Sequence, residues 1–288
     1  MTPMVRKGGA RGILKAAVPK PVRRVVWATW TGLEQGQQRV FERRLNVATH
    51  GHVYHAEAVA PTNVFYEGCE WIPTRRALRR LRPTRRDVFV DLGAGKGQAL
   101  LVAAQTRYGR VRGVELMPEL VADAEKNIRR AQPRLVCPDV RAERGDVTTW
   151  QVPDDVTTVF MYCPFTGDVF HAAMQQVFDS YDRNPRALRI VYDYPWEHNW
   201  LMSTGRVVVE GVLPAQWPTR PWWWRTGWVI VTYRVVEPGA GRAGVPRVRR
   251  RLFRPRRALV RWGGPNDQAF RLVRGTETFA ASKDARDG

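Results

Sequence analysis

The central part of the chain alternates between short apolar runs and longer segments whose apolar residues recur at helical spacing. The runs predict strands at residues 87–91, 111–115, 140–144, 157–163 and 188–193. The segments between them predict helices at residues 97–107, 118–132 and 168–181. Because such alternation favours parallel strands joined by right-handed crossovers, it predicts a doubly wound, mostly parallel α/β sheet.

The pattern changes on both sides of this core. Two β-rich runs at residues 206–213 and 228–236, with no helical segment between them, predict an antiparallel hairpin at one edge of the sheet. Upstream we predict a helix around residues 33–46, and another that starts after Thr74 as its N-cap. The expected organisation is a basic arm and helical lead-in at 1–55, one domain at 56–237, and a basic, flexible tail at 238–288.

Composition narrows the class of protein. The 288 residues are 44% hydrophobic and 26% charged, which is typical of a globular protein. The sequence contains no apolar run long enough to span a membrane. Its three cysteines, Cys69, Cys137 and Cys163, are too far apart for a zinc site and odd in number, which favours a reducing, cytoplasmic setting.

The net charge of +20 is concentrated at the two ends of the chain. Residues 1–50 hold ten Lys or Arg against two acids, and residues 238–288 hold thirteen against four. Basic arms attract polyanions, so nucleic acid is a candidate partner, although no aromatic recognition motif accompanies the charge. The first 25 residues mix Gly, Pro and basic residues and predict a poorly ordered arm.

A glycine loop in VFVDLGAGKGQ carries the strongest chemical signal. Asp91 ends the first predicted strand, and Gly93, Gly95 and Gly97 follow at alternate positions before a helix. Glycines let the backbone approach a ligand closely, and the free N–H groups of a helix start suit a carboxylate or phosphate. The spacing is neither G-x-G-x-x-G nor a phosphate-binding P-loop, and the acid suits the ammonium of a bound amino acid.

Two further acids follow the next strands. Glu115 ends the second predicted strand, where a carboxylate can accept both hydroxyls of a ribose. Asp146 follows the third and could accept the amino group of an adenine, with the Val147 backbone N–H facing the ring; an ordinary turn aspartate is the other interpretation. Ligands of open α/β sheets bind at the carboxyl ends of the strands, so these acids converge on one crevice.

With this order of motifs, residues 88–193 resemble the core of class I S-adenosylmethionine (SAM)-dependent methyltransferases, and the resemblance covers roughly residues 60–236. It implies a seven-stranded Rossmann-like sheet and SAM as the methyl donor. It also implies a set of cofactor-binding residues, namely Asp91, Gly93, Gly95, Gly97, Glu115, Asp146 and Val147.

A narrower resemblance concerns W-I-P-T at residues 71–74. It is similar to the Y-x-P-[ST] element of seven-β-strand histone-lysine methyltransferases and of ATP-synthase c-subunit lysine methyltransferases. In those families the element helps to cover the methionine end of SAM. The resemblance therefore implies that Trp71 and Thr74 lie at the cofactor, with Trp71 in place of the usual tyrosine and Tyr66 nearby.

The acceptor side is less defined. The run Tyr162-Cys163-Pro164-Phe165 is similar to the N-P-P-[YF] element of enzymes that methylate nitrogen. Cys163 stands where those enzymes carry a polar acceptor, which puts N-methylation in doubt, although Cys163 keeps the element's place beside the cofactor. Tyr162 and Phe165 are candidate catalytic residues, and core aromatics are the competing interpretation.

An aromatic rim follows the fifth predicted strand, where Tyr194 and Trp196 are further catalytic candidates. Five tryptophans within residues 217–228 could wall a substrate channel, form a packed lid or contact another protein. The spacing of His50, His52 and His55 could indicate a metal, but no supporting Cys or carboxylate set accompanies them, so no metal site is expected.

Three functions stay open at this point. The first is a methyltransferase that acts on a protein lysine or another amine. The second is a nucleic-acid methyltransferase that binds RNA through its basic arms. The third is a non-catalytic SAM-fold module that uses the tryptophan-rich run and the arms as contact surfaces.

Overall fold

A computed structural model describes residues 19–51, 68–214 and 229–242, together with the backbone of two short strands at 260–261 and 269–270. The hypotheses that concern Tyr66, His52, His55 and the tryptophans of residues 217–228 lie outside these described residues.

Strands rich in Val, Phe and Ile form the parallel part of a single sheet. These strands are β1 (Val88–Leu92), β2 (Arg110–Glu115), β3 (Val140–Arg144), β4 (Thr158–Tyr162) and β5 (Arg189–Asp193). Their ends fall within one residue of the predicted bounds. Strands β1, β4 and β5 are covered on both faces and therefore read as continuous apolar runs in the sequence.

The sheet closes with the predicted antiparallel hairpin. Strand β6 (Val207–Pro214) pairs with β7 (Val229–Val235), and β7 pairs antiparallel with β5. The full order is β3-β2-β1-β4-β5-β7-β6. The chain therefore builds outward from β1 in one direction and then from β4 in the other. The crevice at this change of direction lies outside the carboxyl ends of β1 and β4, where open α/β sheets bind ligands.

Six helices surround the sheet in the described part of the chain. They are α1 (Lys20–Leu45), α2 (Trp71–Arg80), α3 (Gln98–Ala104), α4 (Pro118–Ala131), α5 (Gly167–Arg183) and α6 (His198–Ser203). Short 3₁₀ turns occur at Gln132–Arg134 and Ala240–Arg242. Helix α6 was not predicted, since six residues are too few to display a helical period.

The prediction for the start of α2 is wrong. The helix begins at Trp71, and the Thr74 backbone N–H already donates to the Glu70 carbonyl, so Thr74 lies inside the helix and Glu70 is its N-cap. Pro73 is tolerated there because the first N–H groups of a helix have no partner within it.

Helix α1 is much longer than predicted. It begins at Lys20, so residues 20–25 are helical and do not belong to a poorly ordered arm. It ends at Asn46, which adopts a left-handed conformation with φ of 61°. The tail predicted for residues 238–288 contains the antiparallel pair β8 (Val260–Arg261) and β9 (Ala269–Phe270).

Two apolar layers cover the faces of the sheet. Successive strand residues point to opposite sides, so Phe89 and Phe160 pack with α2, α3 and α4, whereas Val90 and Met161 pack with α5 and α6. No helix among the described residues is long and apolar enough to cross a membrane.

Candidate active site

The glycine loop after β1 is held in a left-handed path by the neighbouring strand. Gly93, Gly95 and Gly97 have φ values of 82°, 52° and 81°, a region that side chains disfavour. The backbone N–H groups of Gly93 and Ala94 both donate to the Val114 carbonyl, at 2.9 and 3.0 Å. A Cβ at Gly93 would lie 2.4 Å from the Pro164 ring, so the loop also needs glycine to pack against the turn after β4.

Glu115 at the end of β2 fixes the middle of this loop. Its Oε2 accepts from the Gly95 N–H at 2.9 Å, and its Oε1 accepts from the Met117 N–H at 3.1 Å. A carboxylate oxygen has two acceptor positions, so each oxygen keeps capacity for a further donor. Glu115 therefore shapes the loop and remains able to accept hydroxyl groups of a ligand.

Asp91 is the buried acid of the site. It is 3% exposed, and its carboxylate has no hydrogen bond or ion pair within the described part of the chain. Burial raises the pKa of Asp91 well above its usual value, and the Glu115 carboxylate raises it further. A buried carboxylate without a partner is costly, and a cationic ligand would remove that cost.

Asp146 lies at the same edge of the sheet but is exposed. Its Oδ1 accepts from the backbone N–H and the hydroxyl of Thr148, at 2.9 and 2.7 Å, which is the geometry of an Asx turn. The neighbouring Gly145 N–H donates to the Glu115 carbonyl at 3.0 Å. Asp146 and the half-buried Val147 therefore follow β3 directly beside the end of β2.

Trp71 and Thr74 are buried in the first turns of α2. The Trp71 ring stacks on Phe41 of α1, with ring centroids 5.2 Å apart and planes 3° from parallel. The indole N–H has no partner in the described part of the chain, and the Thr74 hydroxyl has only the weak interaction that the Cys69 thiol offers. These polar groups lie within a turn of Cys69 and Glu70, at the edge of the site.

The turn after β4 separates its three candidates. Tyr162 is half-buried against the α2 and α3 layer, whereas Cys163 and Phe165 are buried in the opposite layer. Burial raises the pKa of the Cys163 thiol to about 12, although its hydrogen bond with the Tyr192 hydroxyl opposes the rise. Phe165 packs against Phe170 as a core aromatic. Phe165 therefore has the core packing of the competing interpretation, and Cys163 lies buried in the same layer.

The turn after β5 holds a second buried acid that the sequence reasoning did not select. Asp193 is 2% exposed and ends β5, two strands from Asp91. Burial raises its pKa well above the usual value, and the Glu70 carboxylate raises it further, while the Tyr194 backbone N–H partly offsets both. An acid at the end of an apolar strand was the signal used for Asp91 and Glu115, and the same signal in IVYD indicates Asp193.

Three carboxylates thus approach one another around Cys69. Burial raises the pKa of the Cys69 thiol, and the Asp91 and Asp193 carboxylates raise it further, so both lie within electrostatic range of this residue. Glu70 follows in sequence and acts on Asp193. The segment before α2 therefore lies across the carboxyl ends of β1 and β5.

Backbone strain marks both turns of the acceptor side. Cys163 after β4 and Tyr194 after β5 have φ values of 40° and 58°, although neither is glycine. Such residues concentrate at functional sites, where the surrounding structure fixes them. Tyr194 and Trp196 lie side by side, with ring centroids 5.7 Å apart.

The comparison with known families decides the identity of this core. Residues 89–183 match a family model described as a methyltransferase domain. The match spans β1 to α5, and thus the glycine loop, Glu115, Asp146 and the turn after β4. Residues 89–183 therefore form a SAM-dependent methyltransferase domain. The fold and cofactor expected from the resemblance are confirmed.

Solved structures similar to this methyltransferase share little sequence with it. YcgJ from Bacillus subtilis is 18% identical, with a TM-score of 0.34; the match covers 42% of this chain and 49% of YcgJ, about half its length. A TehB-like SAM-dependent methyltransferase from Corynebacterium glutamicum is 15% identical, with a TM-score of 0.42 and coverage of 57% and 89%. An RNA methyltransferase from Salinibacter ruber, in complex with S-adenosyl-L-homocysteine, is 19% identical, with a TM-score of 0.40 and coverage of 58% and 92%. A search of curated proteins found no match.

A chain segment covers the glycine loop of the methyltransferase, and the sequence did not predict this contact. The segment after α1 lies beside this loop, where Lys96 Nζ donates to the His50 carbonyl at 3.4 Å. Asn127 of α4 holds the segment through two hydrogen bonds of 3.0 Å with the Ala48 backbone, and it also donates to the Lys96 carbonyl. Helix α1 therefore brings a backbone segment against the glycine loop.

Glu42 near the end of α1 fixes that segment. Its Oε1 accepts from the backbone N–H groups of Thr49 and His50, at 2.6 and 2.8 Å, and from the side chains of Gln38 and Thr49. Its Oε2 contacts His50 Nδ1 at 2.8 Å. Burial alone would raise the pKa of Glu42, but these hydrogen bonds outweigh it and the pKa is lowered. No cluster of metal-ligating side chains occurs among the described residues.

Proposed function

We propose that this methyltransferase transfers the methyl group of SAM to an amine, either a protein lysine or a small amine. The observation that carries the proposal is the second buried acid, Asp193, at the carboxyl end of β5 beside Glu70. A protonated amine would be the natural cation for this pair of acids, as the ammonium of SAM is for Asp91.

On the donor side we propose that the residues around the glycine loop hold SAM. The unpartnered Asp91 carboxylate fits the ammonium of its methionine part, and Glu115 keeps free acceptor positions for ribose hydroxyls. Asp146 and Val147 lie beside the end of β2, where we expect them to bind the adenine. The remaining residues of the proposed set are Gly93, Gly95 and Gly97 of the loop, Trp71 and Thr74 of α2, and Cys163.

On the acceptor side we propose that Asp193 orients the amine and accepts its proton. When bound, SAM supplies an electrophilic methyl group on a positively charged sulfur. An amine with a pKa near about 10 arrives protonated and must lose a proton before its nitrogen can attack. The raised pKa of Asp193 makes this carboxylate a stronger base than an exposed aspartate, and Glu70 adds negative charge nearby.

Asp193 can also replace the polar side chain that the turn after β4 lacks at Cys163. Enzymes similar in the turn after β4 place a polar side chain there, whereas the buried Cys163 thiol contributes no carboxylate or amide oxygen. Asp193 ends the adjacent strand, paired with Tyr162 at the end of β4, so it can supply the missing oxygen from one strand away. Tyr162, Tyr194 and Trp196 are the proposed aromatic neighbours of the amine; Phe165 supports them from the core.

For the organisation of the chain we propose residues 56–237 as the methyltransferase domain, between a lead-in at 1–55 and a tail at 238–288. The contacts of Glu42 and Asn127 support a lead-in that packs against the domain rather than a separate arm. A cytoplasmic setting is likewise a proposal, supported by three cysteines that are all buried and unpaired.

The test is incubation of the purified chain with methyl-labelled SAM and a fractionated cell lysate. The proposal expects label in protein or in small amines, stable to conditions that hydrolyse methyl esters. Label found only in nucleic acid would contradict the amine assignment, and no transfer to any fraction would favour the non-catalytic alternative. An Asp179→Asn variant, altered on α5, serves as the matched control for Asp193→Asn in the same assay.

A further inference from the structure

A surface of arginines runs along α2 and meets the end of α1. Residues 71–86 contain seven arginines and no acidic residue. We define the arginine face by four of these side chains and their neighbour on α1: Arg44, Arg75, Arg76, Arg79 and Arg80.

The arginines of this face come from two helices that pack against each other, since Phe41 of α1 stacks on Trp71 of α2. Arg75 and Arg79 are one helical turn apart, as are Arg76 and Arg80, which places each pair on the same side of α2. Burial lowers the pKa of Arg75, and the charges of Arg79 and Arg44 lower it further. Arg44 of α1 therefore lies within electrostatic range of Arg75 on the helix that packs beside it.

Several arginines elsewhere in the protein are neutralised by a neighbouring carboxylate. Arg112 pairs with Asp139, Arg183 with Asp154 and Arg206 with Asp182. By contrast, Arg44, Arg75, Arg76 and Arg79 form no ion pair and no side-chain hydrogen bond within the described ranges.

Like charges that face each other one turn apart destabilise a helix. Arg44, Arg75, Arg76 and Arg79 have no counter-charge within the described ranges, and an anionic partner would relieve their repulsion. The partner must supply several negative charges spaced along two helices.

We propose that the arginine face binds the phosphate backbone of a nucleic acid. Every basic residue of the face is arginine, whose planar fork of donors matches phosphate oxygens with two parallel hydrogen bonds. The ends of the chain carry the same sign, with ten basic residues in 1–50 and thirteen in 238–288, so one long polyanion would find attraction beyond the face. This inference does not depend on the amine acceptor.

The arginine face begins next to the candidate active site. Helix α2 starts at Trp71, directly after Glu70, and Arg75 lies one turn later. A nucleic acid on the face would therefore lie beside the segment that crosses the ends of β1 and β5. The methyltransferase would act while docked on nucleic acid, or on a partner that nucleic acid carries.

The test is binding of a labelled single-stranded RNA of about 20 nucleotides to the full chain, followed by fluorescence anisotropy over a range of salt concentrations. Replacing Arg44, Arg75 and Arg79 by Gln is expected to weaken binding at least tenfold and to reduce the slope of log affinity against log salt by about 2, since each lost phosphate contact contributes about 0.7. Since Arg75 is half-buried, the fully exposed set Arg44, Arg76 and Arg79 provides a second variant with the same charge change.

The control replaces Arg107, Arg130 and Arg134 by Gln, three exposed arginines that follow or end other helices and form no ion pair in the described ranges. This control is expected to lose less than threefold. Equal losses in the control and the two face variants would overturn the proposal. The proposal would also be overturned if the chain bound poly-glutamate, or vesicles containing phosphatidylglycerol, as strongly as it binds RNA. SAM affinity should stay unchanged in the face variants, so a failure here is distinct from a failure of the proposed function.

Discussion

Two regions of this methyltransferase contain buried carboxylates, and the carboxylate pKa is shifted in opposite directions in the two regions. Around α1, Glu42 accepts hydrogen bonds from Gln38, Thr49 and His50, which lower its pKa although burial acts against them. At the carboxyl edge of the sheet, Asp91 has no partner in the described part of the chain, and burial raises its pKa.

The difference distinguishes an acid that stabilises the fold from acids that we propose bind a ligand. Hydrogen bonds to a buried charge offset the cost of its desolvation, so Glu42 stabilises the segment beside the glycine loop. Asp91 has no such hydrogen bond in the described part of the chain, and Asp193 has only that of the Tyr194 N–H, so both destabilise the protein without a ligand. Buried groups with strongly perturbed pKa values are typical of functional sites.

The largest expected effect concerns catalysis by Asp193. Replacing it by Asn removes the proposed proton acceptor and should lower the rate of methyl transfer to the amine by about 100-fold or more, which is typical of a lost general base. SAM affinity should change less than threefold. Transfer rates measured across pH, with Asp179→Asn as control, check this; an unchanged rate would remove Asp193 from the mechanism.

The next effect concerns Glu115, which belongs to both classes because it is hydrogen-bonded within the protein and is also a proposed ligand of the cofactor. Replacing it by Ala leaves the Gly95 and Met117 N–H groups without their acceptor. It also removes the proposed acceptor for the ribose hydroxyls of SAM. A charged hydrogen bond contributes roughly 1.5–3 kcal/mol, so SAM affinity should fall by about 10- to 150-fold. Isothermal titration measures it, and an affinity equal to that of the unaltered protein would contradict the assignment.

A smaller effect is expected at Glu42. Replacing it by Gln should lower the free energy of unfolding by about 1–3 kcal/mol, because at least one buried donor loses a charged acceptor. Chemical denaturation measures the change, with the exposed Glu237→Gln as control. Equal stability of the two variants would show that the hydrogen bonds of Glu42 add nothing.

The smallest effect is the pH dependence of that difference. The pKa of Glu42 is lowered in the folded state, so its contribution is complete above the unfolded value of about 4.3 and is lost as pH falls through the folded value. The stability gap between the unaltered protein and Glu42→Gln should therefore narrow below about pH 4. A gap that stays constant to pH 3 would argue for packing instead of charge.

The parts of this molecule that were predictable depend on local patterns. Continuous apolar runs defined β1, β4 and β5, and acids at strand ends indicated Asp91 and Glu115. The first part of helix α1, residues 20–32, was not predicted because Gly32 and the nearby threonines interrupt any apolar period. The attachment of the helix depends on contacts of Glu42 with residues seven and eight positions away. Glu70 acts on Asp193 only after the chain has folded, so sequence spacing could not connect them.

The contrast between the two regions is tested most directly by replacing Asp91 with Asn and measuring both thermal unfolding and SAM binding. An uncharged side chain removes the buried, unpartnered charge, so the melting temperature without ligand should rise by about 2–4 °C for each kcal/mol gained. SAM affinity should fall at least tenfold in the same variant, while Asp179→Asn changes neither property. A variant that melts at a lower temperature and binds SAM as tightly as the unaltered protein would contradict the account.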